Sequence, residues 1–161
     1  MAQSALKMTA KIEDDDAEFE RLMLELEDDT DSVDIGLLAD ADSTLLIIGA
    51  ANEFGTRDGH IPERSFIRAG VDLNEPEIQE RADRLWGQIV DGSMTKQQGL
   101  SRMGEEIQRL IQKRITDIKL PPNALSTIAA KGSSNPLIDS GRLRASIRWV
   151  LARTQDGESG I

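Results

Sequence analysis

The stretch TKQQGLSRMGEEIQRLIQKRITDI, residues 95–118, decides the fold. Leu100, Met103, Ile107, Leu110, Ile111, Ile115 and Ile118 recur at the spacing of one helical face, and Thr95 with Gln98 can cap its start. Gly99 and Gly104 each weaken an isolated helix by ~1 kcal/mol relative to Ala, so a neighbouring element is expected to pack closely at both. Pro121-Pro122 ends the element.

Working outward, Ile78, Ala82, Leu85, Trp86 and Ile89 mark a second long helix from Asn74 onward. Asn74 with Glu77 has the form of a capping box, and Gly92 supplies the stop. Further upstream, Val33, Ile35 and Leu37 alternate with Asp34 and Gly36. After the turn at 39–43 comes the continuous apolar run TLLIIGAA, residues 44–51. These predict a hairpin whose second strand is buried on both faces. Residues 54–60, FGTRDGH, form a glycine-punctuated turn, and Pro62 begins a new element by fixing φ before Phe66 and Ile67. Between 14 and 27, Phe19, Leu22, Met23 and Leu26 fall at i, i+3, i+4 and i+7. They predict an acidic amphipathic helix with Asp14 to Asp16 near the positive end of its dipole.

Downstream, residues 121–139 make a long connection with one short helical possibility at 124–130. Ile147, Trp149 and Leu151 then alternate with Ser146, Arg148 and Val150 as a returning strand. The expected fold class is α+β: a small mixed or antiparallel sheet packed on two long helices, with an N-terminal helix and long extended loops. Residues 1–13 read as a flexible arm, 14–153 as one domain and 154–161 as a flexible tail.

The chain has 161 residues, no cysteine and a net charge of −10. One core is the default at this length, and neither disulfides nor thiolate metal sites are possible. No stretch approaches the ~20 apolar residues of a membrane-spanning helix, so no membrane partner is expected and the chain reads as soluble and intracellular when made. Aromatic residues are scarce, which argues against stacking platforms for single-stranded nucleic acid. The charge is polarised. Residues 1–45 carry 3 Lys/Arg against 14 Asp/Glu, whereas residues 102–148 carry 9 against 4. Such a chain keeps itself soluble, or meets its own kind head to tail.

Chemistry finds little support. The acidic runs 13–16 and 28–42 lack the D-x-[DN]-x-[DN]-G calcium loop, so no metal is expected. Glu53, Asp58 and His60 lie close in sequence but without a second histidine or any G-x-S-x-G or H-E-x-x-H pattern. GTRDG, residues 55–59, lacks the GK[ST] ending of a phosphate loop. No catalytic residue and no cofactor are expected.

Three short motifs remain: NEFGT at 52–56, IPERSFIR at 61–68, and LSTI at 125–128 continuing through Lys131 to PLIDSGRLRASI at 136–147. Read locally, Pro136 holds Asn135 extended, Asp139 or Ser140 can close a turn with its side chain, Gly141 supplies a left-handed angle, and residues 142–147 enter the last strand. In this order, and with two helices between them, the motifs resemble the tail-completion or neck proteins of long-tailed double-stranded DNA bacteriophages. The resemblance covers roughly residues 20–152. Ser65 stands where the family usually has a second proline, and the family pattern offers no role for the acidic start.

The resemblance implies an α+β subunit of the virion neck, assembled as a six-fold ring at the head-proximal end of the tail. Its partners would be further copies of itself, head-closure or adaptor proteins, and tail-tube or terminator proteins. The genome would pass through the channel without specific recognition, with Arg142, Arg144 and Arg148 able to face it, while net acidity argues against independent DNA affinity. Phe54 and Phe66 would anchor the motif loop. Residues 121–139 would reach a neighbouring subunit or ring, and Arg64, Arg68, Arg142 and Arg144 would make charged contacts across subunits. The interface candidates are thus Glu53, Phe54, Gly55, Arg64, Phe66, Arg68, Leu137, Asp139, Gly141, Arg142 and Arg144. A tail terminator, and from another class a small assembly enzyme or nucleic-acid-binding factor, are the alternatives.

Overall fold

The computed structural model describes residues 31–153 together with Glu20, Met23 and Leu24, which are helical and exposed. The remainder of the expected helix at 14–27, the arm 1–13 and the tail 154–161 lie outside the described residues. In chain order the elements are β1 (Asp31–Gly36), α1 (Ser43–Phe54), α2 (Arg68–Asp72), α3 (Glu75–Val90), α4 (Lys96–Asp117), α5 (Leu125–Lys131), α6 (Arg142–Ala145) and β2 (Arg148–Arg153). The α+β class is as expected.

α4 organises the rest. Thr95 Oγ1 accepts from Gln98 N at 3.2 Å and Gln98 Oε1 accepts from Thr95 N at 3.1 Å, completing the expected capping box. Its apolar face packs on α2, α3 and both strands. Ile111, Ile115 and Ile118 meet Phe66, Leu137, Leu143 and Ile147 in the main core, while Leu85, Ile89 and Met94 close a smaller one with Met103. Both helix glycines are explained by contact: a Cβ on Gly104 would lie 2.6–2.8 Å from the Trp149 ring, and one on Gly99 would lie 2.7 Å from Ile89.

Four local readings need correction. Residues 44–51 are helix, not strand, and β1 pairs antiparallel with β2 instead, Asp31 opposite Arg153 and Gly36 opposite Arg148. A short continuous apolar run has no period to distinguish the two states. Here Asp42 decides it, because its Oδ1 accepts from the N–H groups of Thr44 at 2.8 Å and Leu45 at 3.4 Å and so caps the helix. Asn74 does not cap α3; its Nδ2 donates to Gly70 O at 2.8 Å, back onto α2. Residues 142–145 form the short helix α6 before the strand begins at Arg148. Finally, the turn ahead of it is closed by Asn135, not by Asp139 or Ser140: Asn135 Oδ1 accepts from Leu137 N at 3.0 Å and Ile138 N at 3.1 Å.

Candidate functional site

The first motif begins inside α1 and is held from below. Leu45, Gly49 and Glu53 form the buried stripe of this helix. Gly55, at φ +71°, then turns the chain away; a side chain there would also come within 3.0 Å of Glu63 N. Thr56 closes the loop that follows, donating its N–H to Ile61 O at 2.8 Å and accepting Ile61 N on Oγ1 at 2.9 Å. The chain thus returns beside α1, where Arg64 N donates to Asn52 O at 2.7 Å.

That return delivers the second motif to Glu53. Its Oε2 accepts from Phe66 N at 2.7 Å and Ile67 N at 2.9 Å; its Oε1 accepts from Ser65 Oγ at 2.7 Å and Arg68 N at 3.0 Å. One carboxylate therefore satisfies the free N–H groups that open α2. Burial opposes ionisation of Glu53, but the donors of Ile67, Ser65, Arg68 and Phe66 outweigh it and hold the pKa below the usual carboxylate value. Ser65, at the position where the resembling pattern has proline, supplies one of those donors.

Arg64 fixes the third motif's approach. Its guanidinium donates from Nε to Pro121 O at 2.7 Å, from Nη2 to Pro122 O at 3.0 Å and from Nη1 to Asn52 Oδ1 at 3.3 Å. Burial lowers its pKa. Lys131 Nζ donates to the carbonyls of Asn135 and Pro136, and Asn135 Nδ2 reaches Thr116 O at 2.9 Å, so the segment 121–139 is tied down within its own subunit.

The three motifs enclose an open groove of about 720 Å³. Leu45, Ile48 and Asn52 of α1 form one wall, and residues 122–143 the other. That second wall carries Lys131 and Arg142 against Asp139. Arg142 pairs with Asp42 at 3.2 Å and Arg148 with Asp40. Arg144 is exposed, with no ion pair among the described residues. Asn123, also in the wall, has a buried side-chain nitrogen with no acceptor.

The expected interface residues therefore divide. Glu53 and Arg64 are only 5% and 6% exposed and, with fully buried Phe66 and buried Leu137, build the scaffold; their contacts lie within the subunit, which corrects the expectation for Arg64. Phe66 anchors the core, but Phe54 is 70% exposed and anchors nothing in it. Arg68 pairs with neighbouring Glu63 on the surface. Gly141, at φ +80°, and exposed Asp139 and Arg142 line the groove, whereas exposed Arg144 lies outside its lining. Glu53, its oxygens taken, is not clustered with Asp58 and His60; Asp58 Oδ1 instead accepts from His60 N at 3.0 Å.

The surface missed from sequence is the outer face of α1. Ile48 and Ala51 lead out of the groove to Ile47 and Phe54, both 70% exposed. Asp42, a cap immediately ahead of the run, was the signal that this is a helix with two apolar sides. Comparison with protein-family models, with curated proteins and with solved structures finds no match to this chain.

Proposed function

We propose that this protein is a structural subunit of the neck of a long-tailed double-stranded DNA bacteriophage, completing the tail and joining it to the head as part of a six-fold ring. The observation that carries assembly over chemistry is α1. A helix whose central run, residues 45–51, is apolar on both faces belongs in an interior, yet this one leaves Ile47 and Phe54 in solvent. The motif residues serve the same end. Glu53, Arg64 and Asn135 are spent on holding the groove's walls, and none is left free to act on a substrate. On this reading head-closure and tail proteins contact the ring's two ends, and the genome crosses it without base recognition.

The test is electron microscopy of particles produced when this gene carries a nonsense codon. Filled heads beside separate tails of normal length are expected. Overlong tail tubes would make the chain a tail terminator, and intact infectious particles would overturn the reading.

A further inference from the structure

We propose that the groove and the outer face of α1 receive the acidic amphipathic stretch at residues 13–29 of a second copy of this chain. The inference rests on the reading of that face as an assembly surface and names its occupant.

The receiving surface has two characters. One wall is the uncharged apolar side of α1, running from Ile48 through Ala51 to Ile47 and Phe54; the other carries Lys131 and Arg142 against Asp139. Its complement is a helix with one apolar stripe and acidic flanks, the helix-in-groove mode of recognition. Residues 13–29 have that pattern: Phe19, Leu22, Met23 and Leu26 at helical spacing, flanked by 10 Asp/Glu against a single Arg21.

The occupant comes from another copy. Among the described residues Met23 is 40% and Leu24 68% exposed, and Ile47 and Phe54 stand open. The stretch also enters the domain at the wrong place. With residues 28–30 fully extended, the near end of the helical pattern lies at most about 14 Å from Asp31, so within its own chain the stretch would have to double back along β1. Asp31 lies beside Arg153, at the end of the strand pair remote from Gly36 and about 17 Å along β1 from the point where the chain turns toward α1. A neighbour's stretch meets the groove without reversing the chain, and a contact between unlike surfaces repeats head to tail until it closes.

The experiment uses three full-length proteins in analytical ultracentrifugation, with circular dichroism to check folding: wild type, Leu22→Glu with Leu26→Glu, and Ile47→Glu with Ile48→Glu. Wild type is expected to assemble with rising concentration. Each variant alone should remain monomeric with native helix content, and an equimolar mixture should form one-to-one pairs and nothing larger, because one groove and one stripe survive. A wild type that stays monomeric overturns the proposal in favour of docking within one chain or none. Assembly undiminished by Leu22→Glu with Leu26→Glu also overturns it, while leaving the neck reading standing. That reading fails separately, on intact particles from the nonsense mutant.

Discussion

α1 and α4 are both helices that bury glycines, yet they bury their apolar residues differently. α4 keeps Leu110, Ile111 and Ile115 inside and turns charged residues such as Glu105, Arg109 and Lys113 outward. α1 buries Leu45 and Gly49, then repeats the chemistry on its opposite side with Ile47, Ala50 and Phe54. The first pattern is complete within one subunit. The second is complete only if something covers it, and that difference separates the residues that fold this chain from those available to assemble it.

The largest effect should come from exchanging apolar residues between these two settings. Ile115 is fully buried in the main core, so Ile115→Ala should cost about 2–5 kcal/mol in chemical denaturation, from lost burial and the cavity left behind. Ile47→Ala removes the same atoms from an exposed site and should alter monomer stability by no more than about 0.5 kcal/mol. Equal losses at the two positions would erase the distinction between the helices.

A smaller effect tests the junction joining α1 to α2. Glu53→Gln keeps the shape but replaces one acceptor oxygen with an amide donor facing N–H groups, and should cost about 2 kcal/mol at neutral pH. The pH dependence has a definite sign. Folding lowers the Glu53 pKa, so its contribution is complete above about pH 4.3, the ordinary value in an unfolded chain, and is lost as pH falls through the folded value below it. Wild type should therefore lose stability more steeply than Glu53→Gln on acidification below about pH 4.3, as read from urea midpoints. Parallel curves would mean that folding leaves the Glu53 pKa unshifted.

The same contrast explains what was legible in the sequence. α4 and α3 could be read because half-polar helices carry their period openly, and Gly99 and Gly104 announced their close contacts through their helix cost. α1 could not, because a run apolar on every side has no period, and its identity rests on one aspartate two residues ahead of Thr44. The motif residues were visible as motifs, but their direction was not. Whether Glu53 and Arg64 face a neighbour or their own chain depends on a loop closure at Thr56 and Ile61 that brings residues 12 apart together. Asn135 was passed over for Asp139 because both are turn formers, and only the position of Thr116 O decides between them.

The smallest effect on the monomer should accompany the largest on the particle. Arg142 and Arg144 sit on α6, Arg142 in the groove's wall and Arg144 outside its lining; Arg142 faces Asp42 across 3.2 Å with both side chains well exposed. Exposed pairs of this kind contribute little to folding, so Arg142→Glu with Arg144→Glu should leave the melting temperature unchanged to within about 2 °C. Asp42 retains its cap regardless, since its pKa is lowered first by the hydrogen bonds of Thr44 and only last by Arg142. On the proposed reading the reversal acts differently in the particle, because it would turn the wall facing the proposed acidic occupant from basic to acidic, where like charges repel. Particles carrying the double variant should accumulate as separate heads and tails. Raising salt from about 0.1 M to about 1 M, which shortens the screening length from about 10 to about 3 Å, should narrow the difference in self-association between variant and wild type. Normal particle yield from a folded variant would remove these arginines from the joint and leave the apolar face of α1 as its sole determinant.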